Sequence, residues 1–200
     1  HAVLAYKAPQ KPGRYPLRWN LGTNTCEATL HVLGPGTSAT VFDIDGTLTQ
    51  SDRENFKDYA RRLLREARPE GPKLRTGAVA AARRAGQQDV LVYLSGRAPW
   101  LARPTREWLR EQAFPEGIVL LMPNTRDILP TENHVGRRKT AYLRALQQLG
   151  VTFTRAYGNA PTDISAYEAV GIPKAQTFIL GKHGGERGTI ALGEAFPGVK

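Results

Sequence analysis

An α/β fold, a parallel sheet with flanking helices, is predicted for this 200-residue chain from three observations. Short apolar runs alternate with helix-like stretches, the pattern of strand–helix–strand units. The apolar run Ala39, Val41, Phe42 stops at two carboxylates, Asp43 and Asp45, with Gly46 and Thr47 next. A second apolar run, residues 90–94, stops at Ser95-Gly96. Strands that end this way present polar groups at the carboxyl edge, where open α/β sheets bind ligands. The length suffices for one sizeable core, or a core plus a small appendage.

Residues 1–37 stand apart as a β-rich N-terminal segment, rich in Pro and Gly. Tyr15–Leu21 and Thr29–Leu33 flank a turn at Gly22-Thr-Asn-Thr, with Leu30 and Val32 on one face of a half-buried strand. The expectation is a β-hairpin or the remnant of a β-sandwich, joined through Gly34-Pro-Gly36 to a catalytic domain over residues 38–200. An isolated hairpin is marginal in water, so this segment packs on that domain or belongs to a larger one. His1 in place of Met fits a fragment or a processed product.

Strands are expected at 38–43, 89–95, 117–122, 152–157 and 176–180. Helices are expected near 76–86, 99–113, 137–149 and 162–170. Pro99 near a helix start and Gly150 just past a helix end supply the boundary signals. Tyr142, Leu143, Leu146 and Leu149 have helical spacing and should face the core. Trp108 and Leu109 read as packing residues. An amphipathic helical insertion is expected at 53–72, directly after the Asp-x-Asp loop. Phe56, Ala60, Leu63, Leu64 and Ala67 mark its apolar face, and arginines and lysine crowd the rest. It reads as an ordinary helix with pairs such as Asp58–Arg62, or as a basic lip that meets an anionic lipid surface.

Asp43 and Asp45 share a face of the strand end. Two negative charges aimed at one point need a cation or a proton between them. Asp43-x-Asp45-Gly46-Thr47 resembles the first motif of the haloacid dehalogenase-like (HAD) phosphatases, and the later motifs follow in order. Ser95 fits the second, Lys139 the third, and Tyr157-Gly-Asn-Ala-Pro-Thr-Asp163 the fourth, with Asn159 and Asp163 as its polar pair. More narrowly, Asp43-Ile-Asp-Gly-Thr-Leu-Thr49 with Gly158-Asn-x-Pro-Thr-Asp163 is similar to the catalytic domain of the lipin-type phosphatidate phosphatases. Ala166-Tyr167 to Val170-Gly171-Ile172-Pro173 has the form of their downstream phrase. The HAD resemblance covers about residues 38–182 and implies a Rossmannoid parallel sheet with a small cap or none.

The residue types fit phosphoryl transfer, which is catalysed mainly by positioning and charge neutralisation. Asp43 is the candidate nucleophile, forming an aspartyl-phosphate. Asp45 is the candidate proton donor to the leaving alkoxide and later the base for water. A carboxylate meets an anionic phosphate only with charge compensation, and Mg²⁺ with oxygen ligands provides it. Its expected ligands are Asp43 and Asp163, the Asp45 backbone carbonyl as the resemblance implies, and Asn159 as a neutral oxygen donor. Ser95 is expected to hydrogen-bond the phosphoryl group, Lys139 to offset its charge, and Thr47 to order the loop after the nucleophile.

A net charge of +10 and a pI near 10.0 favour anionic partners. No helix-turn-helix, zinc or RNP pattern is present, so specific nucleic-acid binding is not expected. No apolar run of about 18 residues occurs, so no transmembrane helix is expected. Cys26 is the only cysteine, which excludes an internal disulfide. The composition leaves cytoplasm and export undistinguished. His134 and His183 fall in loops that can approach the site, and neither is expected to be catalytic. The leading expectation is a Mg²⁺-dependent phosphomonoester hydrolase acting on phosphatidate at an anionic membrane surface. The alternatives are a HAD phosphatase of a soluble phosphomonoester and a non-catalytic phosphatidate-binding module.

Overall fold

A computed structural model describes residues 7, 9–50, 71–121 and 132–197. Strands β1 (Gly13–Leu21) and β2 (Asn24–Val32) form an antiparallel hairpin closed by Gly22-Thr23. The loop is two residues shorter than the sequence reading placed it, because Asn24 and Thr25 already pair in β2. Tyr15, Leu17 and Trp19 face Leu30, Ala28 and Cys26 across the pair, and all six are half-buried. Arg18 and Glu27 form an ion pair of 2.8 Å on the opposite, exposed face. This is the period-2 alternation of a sheet with one sheltered side. Arg14 makes an ion pair with Glu116, which ties the hairpin to the amino edge of the main sheet.

That sheet has six strands, all parallel, in the order β5-β4-β3-β6-β7-β8. They are β3 (Ser38–Asp43), β4 (Val90–Leu94), β5 (Ile118–Leu120), β6 (Thr152–Gly158), β7 (Thr177–Leu180) and β8 (Ile190–Gly193). Helices α1 (Ala78–Ala85), α2 (Ala102–Glu111), α3 (Glu132–Gln148) and α4 (Pro161–Ala169) connect and flank them. The fold is the predicted Rossmann-like, HAD-type α/β architecture. The chain builds outward from β3 through β4 to β5, then returns to the other side of β3 for β6. The carboxyl end of β3 is therefore the topological switch point, where open sheets leave a crevice for ligand.

Alternation along the strands splits the interior in two. Val41, Val92, Leu94, Leu143, Leu146, Phe153, Ala156 and Tyr167 fill one side, under α3 and α4. Phe42, Leu91, Tyr93, Trp108, Leu109 and Phe114 fill the other, with the alanines of α1. Phe42 and Tyr157 stack at 4.6 Å between centroids, and Tyr157 and Phe178 at 5.0 Å, making an aromatic row across three neighbouring strands. Both sheet faces are covered, so the strands read as apolar runs.

Three features differ from the sequence reading. Strand β8 was not expected: it has four residues, Ile190 is 40% exposed, and a short edge strand carries no burial pattern. Helix α3 starts at Glu132, earlier than expected, which puts His134 in a helix rather than a loop. Leu149 is 71% exposed rather than in the core. The cause is the helix end. Gly150, at φ 85°, donates to the Gln147 carbonyl (2.9 Å), and Val151 donates to the Leu146 carbonyl (3.1 Å). This is a Schellman turn, in which the residue after the glycine closes the apolar contact. Buried Val151 takes the place that Leu149 would have had. Of the expected insertion at 53–72, residues 53–70 lie outside the described residues.

Leu143→Ala, at a fully buried position, is expected to cost about 2–5 kcal/mol. Leu149→Ala should stay within about 0.5 kcal/mol of the parent. Urea unfolding measures both, and equal costs would contradict the Schellman assignment.

Candidate active site

Asp43 is the last residue of β3, and its side chain lies on the Val41 side of the strand, facing α3. Lys139, about two turns into α3, reaches back and donates to Asp43 Oδ1 and, at 2.5 Å, to Asp163 Oδ1. All three side chains are buried, at 5% exposure or less. Asp163 sits at the third position of α4 after Pro161. Its other oxygen, Oδ2, accepts the backbone N–H of Asn159 and of Ala160, both at 3.1 Å. A carboxylate here satisfies two amides that the helix start leaves unpaired. The turn is possible because residue 158 is glycine: a Cβ there would lie 2.5 Å from Asp163 Cβ.

Thr47 links the first and fourth motifs. Its Oγ1 lies 3.1 Å from Asp43 Oδ2 and 3.1 Å from Asn159 Oδ1. The loop after Asp43 is locked by Arg75, whose guanidinium donates to the Gly46 carbonyl (2.8 Å) and the Thr49 carbonyl (3.3 Å). Arg75 also holds Glu194, beyond β8.

Asp45 points to β4 rather than α3. Ser95 Oγ donates to Asp45 Oδ2 at 2.7 Å and accepts the Arg97 backbone N–H at 3.1 Å. The Arg97 guanidinium forks onto Asp45, with Nε and Nη2 2.9–3.2 Å from its two oxygens. Nη1 of Arg97 donates to buried Thr105 of α2 at 3.0 Å. Such bidentate pairs fix both distance and orientation.

Asp43, Asp45, Thr47, Ser95, Lys139, Asn159 and Asp163 thus come together at the switch point, although they span 120 residues of sequence. The sequence reading passed over Arg97, Thr105 and Arg75. Arg97 had one usable signal: it stands two residues after Ser95, in the same strand-end loop as a group that Asp45 needs as counter-ion. His183 is engaged with Glu186 at 2.7 Å, and the His134 side chain lies outside the described residues.

Burial pushes the Asp43 carboxyl up to about 7, with the neighbouring Asp163 carboxylate adding to the rise and Lys139 opposing it. Burial also works against the charge on Lys139, yet Asp163 and Asp43 together hold its ammonium well above the usual range. Among the described residues, three carboxylates here face two fixed cations, Lys139 and Arg97. One negative charge is left for a proton or a bound cation. The donors nearest Lys139 are hard oxygens, two carboxylates with the Asn159 amide oxygen close by, and that set fits Mg²⁺.

A parallel sheet whose central strand ends in this carboxylate pair, with a buried lysine behind it, defines a HAD-type domain. The sequence comparisons narrow the class. The family described as PITM 1-3, LNS2 domain matches residues 40–181, and the chain belongs to this LNS2 family. It is 34% identical over 189 residues to Protein retinal degeneration B of Drosophila melanogaster, covering 90% of this chain and 13% of that protein. It is 33% identical over 177 residues to Membrane-associated phosphatidylinositol transfer protein 1 of Homo sapiens, covering 85% of this chain and 12% of that protein. It is 28% identical over 188 residues to Phosphatidate phosphatase LPIN3 of Homo sapiens, covering 82% of this chain and 20% of that protein. The lipin-type resemblance therefore holds in part, within a family that also contains regions of lipid-transfer proteins. The chain spans about an eighth of the length of the first two relatives.

A raised carboxyl makes stability depend on pH. The folded chain keeps the Asp43 proton up to about pH 7, whereas an unfolded chain releases it near pH 4. Stability from this group is therefore greatest below pH 4 and falls as pH rises to 7. Asp43→Asn should remove that decline in Mg²⁺-free buffer. Parallel stability–pH curves for parent and variant, from chemical denaturation, would contradict the assignment.

Proposed function

We propose that this domain is a Mg²⁺-dependent phosphomonoesterase that acts on phosphatidate through an aspartyl-phosphate. The observation that carries the reading is the convergence of buried Asp43 and Asp163 on Lys139, beside Asp45, at the sheet's switch point. Mg²⁺ held by Asp43, Asp163, Asn159 and the Asp45 carbonyl would supply charge neutralisation at the phosphoryl oxygens. Asp43 attacks phosphorus, a new O–P bond forms, and the bond to the leaving alkoxide breaks. Asp45, once protonated and released from Arg97, passes a proton to that alkoxide. It then accepts a proton from the water that hydrolyses the aspartyl-phosphate, which returns Asp43 and frees phosphate. Lys139 balances charge behind Asp43 throughout, and Ser95 and Arg97 hold the resting position of Asp45.

Similarity to a protein named as a phosphatidate phosphatase supports the substrate. A second reading, phosphatidate binding without turnover, is favoured by relatives named as transfer proteins at 31–33% identity. Phosphate release from phosphatidate vesicles and from a soluble ester panel, with and without Mg²⁺, separates these readings. Turnover of phosphatidate should require Mg²⁺ and fall about 10³-fold or more in Asp43→Asn. Asp45→Asn should cost about 10²–10⁴-fold. Mg²⁺ should raise the melting temperature of the parent and not that of Asp43→Asn. Vesicle binding without phosphate release would establish the second reading, and turnover confined to soluble esters would overturn the lipid substrate.

A further inference from the structure

The buried catalytic groups raise a question of access. A phosphate on a bilayer lipid reaches Asp43 only if the carboxyl edge of the sheet is brought against the membrane. Trp100 occupies that edge. It lies in the 3₁₀ turn Pro99–Leu101, three residues after Arg97 and five after Ser95. Its neighbours Ala98 and Leu101 are buried, at 7% and 3% exposure, whereas Trp100 itself is 50% exposed. The turn is therefore anchored from below and displays one large indole outward. Buried Arg97, fixed to Asp45 and Thr105, holds the start of this segment in place.

The residues around Trp100 are basic. Helix α2 follows at once, and Arg103, Arg106 and Arg110 lie on its exposed face. Arg106 lies farther down α2, within electrostatic reach of His31 on the hairpin; Arg103 sits roughly 5 Å along the axis from Trp100. That is the depth of the headgroup layer above an interfacially inserted ring. Arg103 shares its charge with Glu107 at 2.8 Å. On the far side of the crevice, beyond β3 and β6, exposed Lys182 follows the end of β7. The mouth is thus flanked by cations on both sides, with one aromatic anchor beside the Asp45 clamp. Indoles settle at membrane interfaces, and arginine and lysine near them add attraction to anionic lipid.

We propose that Trp100, with Arg103 and Lys182, is the docking edge by which the domain sits on an anionic lipid bilayer. The inference rests on the lipid-substrate reading, but its test does not depend on turnover. The full chain carrying Asp43→Asn binds without consuming substrate. It is mixed with phosphatidylcholine vesicles containing phosphatidate, in a Trp19→Phe background so that Trp100 and buried Trp108 are the remaining indoles. Trp100 emission should shift to the blue and be quenched by brominated acyl chains. Trp100→Ala should weaken co-sedimentation about tenfold, equivalent to about 1.4 kcal/mol, and Trp100→Phe should recover most of it. In the parent with Asp43 intact, Trp100→Ala should lower turnover on vesicles and leave p-nitrophenyl phosphate turnover unchanged. An unshifted Trp100 spectrum with undiminished sedimentation would overturn the docking edge. So would equal loss on vesicles and soluble ester, which is the mark of a packing role. Failure of the lipid reading has a different signature: soluble-ester turnover with no vesicle binding by the parent.

Discussion

Two carboxylates share one buried ammonium, and much of the molecule is arranged to make that tolerable. Asp43 comes from the first strand of the main sheet, Lys139 from α3 and Asp163 from the start of α4. Removing Lys139 from this cluster leaves uncompensated charge in a dry interior, which costs several kcal/mol. The surrounding structure keeps each partner in register. Gly158 leaves room for Asp163, Thr47 ties Asp43 to Asn159, and Arg75 pins the loop between them. The sheet order supplies the crevice, because the successive strands leave β3 on opposite sides and Asp43 ends that strand.

Asp45 is managed separately. Its partners come from β4 and α2, through Ser95, Arg97 and Thr105, so the two aspartates of the first motif belong to different halves of the site. One half is an anionic pocket completed by a cation. The other is a clamp that keeps the second carboxylate out of that pocket at rest. The division lessens the repulsion between the two carboxylates, although Asp45 still adds to the rise at Asp43.

Strand positions were legible because both faces of the sheet are covered and the strands read as apolar runs. The site residues were legible where a strand end or helix start marks them, as for Asp43, Ser95 and Asp163. Arg97 and Arg75 were not, because a buried arginine looks like a surface arginine until its partner in space is known. Leu149 was misplaced because helical spacing says nothing about where a helix stops. Gly150 marks the stop, but its effect on the preceding leucine depends on backbone conformation. The β8 edge strand left no mark, since its side chains are mostly outside the core.

Asp163 does two jobs with two oxygens, one for Lys139 and one for the amides that open α4. Among the described residues, the Asp43 side chain bonds Lys139 and Thr47 and no backbone amide. The two aspartates should therefore differ in evolutionary durability. A descendant without phosphoryl chemistry could carry a small polar residue in place of Asp43 and keep Lys139 paired with Asp163. Losing Asp163 would unpair two amides as well as one side of the lysine. Among such descendants, the fourth-motif aspartate should outlast the first, and its presence alone would be a poor guide to surviving catalysis.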